Sequence, residues 1–546
     1  MRGLVIGRYL ALPLSVALSV LGTWLALRGG GWGWWLLAAL GLSLLAVGLR
    51  DLSQAPRAIL RNYPVFGRLR YLFEHFRPEI RQYLIEGDND EVPFSRQQRA
   101  LVYQRAKSQI DTRPFGTQQD VYGDDYEWIN HSLAPAGIEG HDFRITIGPS
   151  CSQPYSASVF NISAMSFGSL SAAAILALNE GARRGGFYHD TGEGSISRHH
   201  RVHGGDLVWE IGSGYFGCRT ADGRFDPARF AAQAADPQVK MIELKLSQGA
   251  KPGQGGILPG AKVTAEIAEA RGVPEGVDCL SPARHSAFES PIGLLEFVAR
   301  LRELSGGKPT GFKLAIGHPW EWFAIAKAMV QTGLRPDFIV VDGGEGGTGA
   351  APLEFTDHVG VPMREGLMLV HNTLVGLGLR ERIHVAAAGK IITGFDLARA
   401  LALGADWCNA ARGFMFALGC IQSQTCHTGK CPTGVATQDP LRQRGLVVAD
   451  KAERVQRFHA QTLSALKSLL AAAGLSHPDE LGPEHIIRRV SPFQVRSMAL
   501  NYRWVEPGAL LDGIPEHAVF KRFWPLARPD TFAPGQRLGV GFAAGR

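Results

Sequence analysis

Between residues 155 and 410 short β-rich runs alternate with longer helical patterns, and that alternation restricts the chain to a parallel α/β fold. The strand candidates are residues 158–164, 186–190, 239–246, 278–280, 311–316, 337–341, 383–387 and 406–410, eight in all. Helical periodicity fills most of the gaps, at residues 171–184, 261–271, 292–304, 320–331, 364–377 and 394–403. The long irregular stretch 195–236 reads as an insertion after the second strand. Polar and glycine-rich signatures follow the strands rather than precede them. They are Met165-Ser166-Phe167-Gly168, Thr191-Gly192-Glu193-Gly194, Gln248-Gly249-Ala250-Lys251, Ser281-Pro282, Lys313, Asp342-Gly343-Gly344, Gly389-Lys390 and Arg412-Gly413. A (β/α)8 barrel builds its site at the strands' C-terminal ends, so eight such loops would converge on one mouth. A doubly wound open sheet would confine function to one or two switch points. The expected fold is therefore a (β/α)8 TIM barrel.

The N-terminus has its own pattern. Residues 9–27 and 32–49 carry no charge, and each has about the ~20 residues that cross a bilayer. Arg28 and Gly29-Gly30-Gly31 separate them, while Trp32, Trp34 and Trp35 sit at one end of the second run, as interfacial aromatics do. A cleaved signal peptide would not normally be followed at once by a second span. Arg2 and Arg8 precede the first run, and Arg50, Arg57, Arg61, Arg68 and Arg70 follow the second. The positive-inside rule then gives a multi-pass hairpin in the inner (cytoplasmic) membrane, with the remainder facing the cytoplasm. Residues 51–113, rich in Arg and aromatics, either lie along the acidic membrane surface or pack as a helical layer on the main domain. The expected organisation is a transmembrane hairpin at 1–50 and a helical or irregular linker and barrel-packing segment at 51–150. The barrel follows at 151–440, and a short helical extension at 441–546.

The net charge of +7 does not point to nucleic acid. Much of the arginine excess follows the apolar N-terminus, and no basic stripe interleaved with aromatics appears later. Seven cysteines in 546 residues are too few for a disulfide scaffold.

Gly343 to Gly349, directly after the sixth strand candidate, is the densest glycine run, and it brings backbone N–H groups close to an anion or planar ring. It lacks the Gly-Lys-Ser/Thr ending of a Walker loop. Gly389 and Gly413, after strand candidates seven and eight, fall where barrels commonly hold a phosphate. Together they suggest a phosphorylated cofactor, for which FMN fits. Lys313 sits among apolar neighbours and needs an anion, either a reduced flavin or a structural carboxylate. Cys420, Cys426 and Cys431, the last followed by Pro432, suit an iron–sulfur cluster, with zinc and plain reduced thiols as alternatives.

Ala164 through Ser171, Asn179 through Gly194, Gln248 through Gly256, Asp342 through Ala350 and Cys420 through Gln438 resemble, in order, the FMN-binding synthase domain of glutamate synthases, and the stand-alone, membrane-anchored relatives of that domain most of all. The resemblance implies FMN in a (β/α)8 barrel and a 3Fe-4S cluster on Cys420, Cys426 and Cys431. It implies an oxidoreductase that forms L-glutamate, or a related amino acid, from 2-oxoglutarate and ammonia or an amine by reducing an imine. Met165, Ser166, Gln248, Lys313, Gly347, Thr348, Gly349, Gly389 and Gly413 are then expected to hold the flavin. Glu193, Gln248, Lys251 and Lys313 are expected to carry the catalysis, with Glu193 transferring a proton at a raised pKa. A glutaminase domain, a C-terminal β-helix and a pyridine-nucleotide fingerprint are expected to be missing, so amine and electrons would come from unidentified donors. The alternative is a membrane-associated FMN/Fe-S oxidoreductase of another substrate, exchanging electrons with quinone or a partner protein. A homo-oligomer stays open.

Overall fold

Runs such as Phe338-Ile339-Val340-Val341 and Val385-Ala386-Ala387 are apolar on both faces, which suits parallel strands covered by helices. In the computed structural model, which describes residues 8–54, 56–90 and 93–535, they lie side by side in a closed barrel. Its strands are β1 (Phe160–Ile162), β2 (His189–Asp190), β3 (Leu207–Ile211), β4 (Val239–Lys245), β5 (Thr310–Leu314), β6 (Phe338–Asp342), β7 (His384–Ala388) and β8 (Trp407–Ala410). Each is parallel to its neighbours, and β8 closes on β1 through Cys408–Phe160 and Ala410–Ile162. Connecting helices include α1 (Ala172–Gly185), α2 (Pro227–Ala234), α3 (Pro291–Leu304), α4 (Pro319–Thr332), α5 (Met363–Gly376), α6 (Gly394–Ala402) and α7 (Arg412–Leu418). Side chains start them: Ser171 caps α1, Ser290 caps α3, and Thr393 with Asp396 makes a capping box on α6. Trp209, Trp407, Phe160, Phe312 and Phe338 fill the core.

One strand was assigned to the wrong place by pattern. Residues 278–280 do not enter the barrel; Cys279–Leu280 pairs antiparallel with Ile257–Leu258 in a two-stranded ribbon. The third barrel strand is β3, inside the stretch expected to be an insertion. Glu210 interrupts its apolar run, yet the whole strand is buried, because Glu210 finds its counter-ion inside the barrel.

A 26-residue helix, α8 (Val448–Ala473), agrees with the helical expectation for the C-terminal part and covers the barrel beside α1 and α6. Small residues permit the approach: a side chain on Gly181 would meet Val455, and one on Gly394 would meet the Leu466 backbone. The C-terminal segment is not helical throughout. Ile486–Ser491 and Gln494–Ser497 form a hairpin that pairs with Glu127–Ile129, so segments from both ends of this unit share one sheet. Glu127 anchors that sheet to α5 and α6 through Arg364 and Arg399.

Contacts divide the chain into two units, Met1–Asp90 and Glu91–Arg546. In the first, helices Ala11–Leu27 and Gly33–Ser53 pack against each other; the former lies within the first run expected to be a span, and the latter begins in the second run and continues four residues past it. Among the described residues one helix, Gly33–Ser53, is long and apolar enough to cross a membrane; Ala11–Leu27 is apolar and 17 residues long. Arg2, used above to orient the hairpin, lies outside the described residues. Ser15, Ser19 and Gly22 are buried against Ala38 and Gly41, and the backbones come so close that a side chain on Gly22 would strike Ala38.

Candidate functional site

The C-terminal ends of the barrel strands carry a line of charges that runs from the interior to the mouth. Deepest is Lys313 on β5, whose ammonium contacts Glu210 on β3 and lies 3.3 Å from Glu243 on β4. All three side chains are buried. Asp190 on β2 completes a triad of acids whose carboxylate oxygens lie within 4.8 Å of one another. Three carboxyls cannot all ionise beside one ammonium in a dry interior. Burial and the other carboxyls push Glu243 well above the carboxylate range and bring Asp190 up to about 7, so the cluster retains a proton at neutral pH. Burial alone would lower the Lys313 ammonium, but Glu210, Glu243 and Asp190 outweigh it and keep it charged. Of the two anions expected for Lys313, the structure supplies the carboxylates.

One step outward is Lys245, at the end of β4. Its ammonium lies 3.9 Å from Glu210 and 3.3 Å from Glu193, and it donates to Gln248 Oε1 at 3.2 Å. Glu193, Lys245, Gln248 and Lys251 line a polar cleft of about 30 Å³, together with Ser213 and the Gly253–Gly256 backbone. Three of the four residues expected to act together therefore share this cleft, and Lys313 stands behind it. The expectation of a raised Glu193 pKa is corrected. Burial does push the carboxyl up, but Lys245, Arg271 and Lys251 prevail and hold it below its ordinary value. Lys251 moves the other way from an ordinary lysine: burial lowers it, with Lys245 adding to the effect and Glu193 opposing it.

Loops lock this cleft to the next. Gln248 Nε2 donates to the Gly347 carbonyl at 3.0 Å, and Gly249 N–H donates to Asp342 Oδ2 at 2.8 Å. Gly249 leaves no room for a side chain, since a Cβ there would fall 1.8 Å from the Gly343 oxygen. Gly347, Thr348 and Gly349 are exposed at the mouth, and the Arg412 guanidinium lies against Gly347. Met165 is buried and Ser166 half-buried, packed under the Gly192–Gly194 turn that carries Glu193. Gly389 is half-buried at φ +156°, whereas Gly413 is buried with its empty face against Phe458. Lys390 and Arg412, the residues next to these glycines, both approach the Phe94 ring, at 5.9 and 4.8 Å from its centroid. Two cations beside Gly347 and Gly389 make a cradle that suits a phosphate.

The cysteine loop follows α7. Burial raises Cys420 to about 12, and Cys426 and Cys431 add to the rise, so the three thiols feel one another. Cys426 is raised as well, by burial and by Cys431. For Cys431 burial is outweighed by the backbone amides of Ala436, Thr433 and Val435 and by the Thr433 hydroxyl, which bring it below an ordinary thiol. Tyr103 donates to the Cys420 carbonyl at 2.6 Å, and Lys262 to the Cys426 carbonyl at 3.0 Å, so the loop is tied down at its start and its middle. Gln422 and Gln424 adopt positive φ to wind it. A donor set of three thiols on one loop, with amides aimed at one sulfur, has the chemistry an iron–sulfur cluster requires.

Pattern alone missed Asp190, Glu210, Glu243 and Lys245. Lys390 and Arg412 stood in the strand-end signatures but were passed over in favour of their glycine neighbours. For Lys390 and Arg412 the signal was their place just after a barrel strand, where side chains face the mouth; the four acidic and basic residues inside strands carried no such signal.

The conserved region of glutamate synthase matches residues 144–476, which contain the whole barrel and the cysteine loop. The glutamate synthase large subunit-like protein YerD of Bacillus subtilis is 38% identical over 482 residues, 81% of this chain and 91% of that protein. An archaeal-type glutamate synthase (NADPH) of Thermotoga neapolitana is 38% identical over 319 residues, 58% of this chain and 60% of its own length. The archaeal glutamate synthase (NADPH) of Methanocaldococcus jannaschii is 35% identical over 346 residues, with 63% of each chain covered. On the match across the barrel and the near full-length likeness to YerD, the chain belongs to the glutamate synthase family and is a glutamate-synthase-like oxidoreductase.

Proposed function

We propose that the barrel binds FMN, that Cys420, Cys426 and Cys431 hold a 3Fe-4S cluster, and that the site makes L-glutamate or a related amino acid. Its substrates are 2-oxoglutarate and ammonia or an amine, joined as an imine that is then reduced. The observation that carries this reading is the cleft of Glu193, Lys245, Gln248 and Lys251 beside a glycine cradle with two cations, within the family's conserved region. Lys390, Arg412 and the Gly347 and Gly389 backbones would hold the FMN phosphate, and Met165 and Ser166 would pack near the ring. When bound, FMN supplies hydride transfer.

The chain's own groups divide the remaining work. Lys251 pairs a substrate carboxylate and, as an ammonium of lowered pKa, can give up a proton. Glu193 stays ionised and is suited to accept a proton from the incoming amine rather than to donate one. Gln248, held between Lys245 and Gly347, fixes the cleft wall. The carboxyl cluster around Lys313 keeps this floor rigid and close to neutral.

We read the N-terminal helices as a membrane hairpin with the barrel on the cytoplasmic side of the inner membrane. Their packing supports this: small residues face inward, while Leu14, Val20, Leu36, Leu40 and Leu42 are exposed, the reverse of a hairpin stable in water. The hairpin also favours a second reading, in which the site oxidises another substrate and passes electrons to quinone. An anaerobic titration separates the two. The detergent-solubilised protein is reduced with dithionite, then given 2-oxoglutarate and ammonium. Reoxidation of the flavin with glutamate as product establishes synthase chemistry. A flavin that stays reduced until a quinone analogue is added favours the second reading, and a preparation without flavin removes both.

A further inference from the structure

Just beyond the second apolar helix the chain forms a helix with a different pattern, Gly67–Ile80, continued by a π turn at Arg81–Ile85. Phe66, Leu69, Phe73, Phe76, Ile80 and Leu84 recur at steps of three and four. At ~100° per residue they occupy about a quarter of the circumference. Every one is exposed, Phe73 at 63% and Leu84 at 80%. Such a stripe along one helix is costly in water and marks a surface made for an apolar partner. Arg77, Arg70 and Arg81 come next to it around the helix, on one flank. Arg70 also pairs with Glu74 at 2.8 Å.

The helix is pinned at its start. Asp51, in the last turn of Gly33–Ser53, is fully buried; it accepts from the Arg68 guanidinium at 2.6 Å and from the Val65 N–H at 3.1 Å. This clamp fixes the beginning of the stripe beside the end of the second apolar helix.

We propose that Gly67–Ile80 lies in the plane of the membrane interface, with the Phe66–Leu84 stripe among the acyl chains and the arginine flank on anionic phospholipid headgroups. The inference rests on the membrane reading of the hairpin and extends it to a lipid class. A helix that begins where a span ends has its apolar face at the depth of the acyl boundary, and a flank on which Arg70, Arg77 and Arg81 outnumber Glu74 complements anionic phosphates. The clamp at Asp51 would convert this contact into a fixed departure of the chain from the bilayer.

The test uses the full-length chain in nanodiscs, with photoreactive benzoylphenylalanine replacing Phe73 or, separately, Leu40 on the second apolar helix. Nanodiscs contain phosphatidylcholine alone or with about one-third phosphatidylglycerol. The expected result is lipid adducts at both positions. The Phe73 yield should rise about threefold or more with the anionic lipid and lose that rise in Arg70→Gln, Arg77→Gln, Arg81→Gln protein. If Leu40 labels lipid while Phe73 labels only protein, from the barrel or a second copy, or labels nothing, the interfacial helix is refuted and the hairpin survives. If Leu40 fails to label lipid, the membrane reading falls and takes this inference with it.

Discussion

Replacing Lys313 with Met removes the cation nearest Glu210, with Lys245 left at 3.9 Å, and leaves the buried carboxyls of Asp190, Glu210 and Glu243 facing one another inside the barrel. Methionine matches the lysine stem in length, so the change is mainly one of charge. The simplest route by which the folded barrel can compensate for the lost ammonium is to bind a further proton on the carboxyl cluster. From an ordinary glutamate pKa of about 4.3, that costs about 1.4 kcal/mol per pH unit, hence about 4 kcal/mol at pH 7.5 and about 1.6 kcal/mol at pH 5.5. The first figure agrees with the ~3–5 kcal/mol seen when one partner of a buried ion pair is removed. In Lys313→Met the folded carboxyl cluster holds one more proton that the same groups lack in the unfolded chain. Its protonated form is therefore favourable at low pH, and the deficit grows as pH rises. Urea unfolding of the solubilised full chain, followed by tryptophan fluorescence to which the buried Trp209 and Trp407 in β3 and β8 contribute, reads this. The double variant Lys313→Met, Glu210→Gln should regain most of the loss at pH 7.5, since both charges then leave the interior together. A single variant that loses less than about 1 kcal/mol, or loses the same amount at both pH values, would falsify the buried ion pair as described.

Three further outcomes are expected. Glu193→Gln should lower turnover about 100-fold or more while leaving bound flavin unchanged; undiminished turnover would remove Glu193 from the proton path. Cys431→Ser should abolish bound iron and its visible absorbance while flavin remains, and iron retained at the wild-type ratio would disprove the ligand set. His459 is buried against Phe187 and Ser158, and burial lowers it to about 3, so it stays neutral when folded. The stability it contributes is present above its ordinary pKa of about 6.5 and lost as pH falls toward 3; compared with His459→Phe, the wild type should lose about 2 kcal/mol more between pH 6.5 and 4.5. Parallel pH profiles for the two proteins would mean that His459 is not a buried neutral imidazole.

The barrel was legible in residue order wherever each strand announced itself by an uninterrupted apolar run, as β6 and β7 do. Its mouth was legible because glycines and polar residues cluster after such runs. Glu193, Gln248 and Lys251 stand in such loops, after β2 and β4, and their grouping in one site came from the resemblance to the glutamate synthase domain. The small-residue pattern of the N-terminal helices and the heptad-like stripe from Phe66 to Leu84 are likewise written in the local sequence. Tertiary structure alone decided what depends on a partner distant along the chain. Leu207–Ile211 could not be recognised as a strand while Glu210 looked like a surface residue, because its counter-ion, Lys313, lies a hundred residues away. Cys279–Leu280 resembled a barrel strand until Ile257–Leu258 captured it as a ribbon. The sign of the Glu193 shift needed Lys245, Arg271 and Lys251 in place. Burial by itself points upward, and whether it prevails depends on distances between charges that only the closed barrel sets.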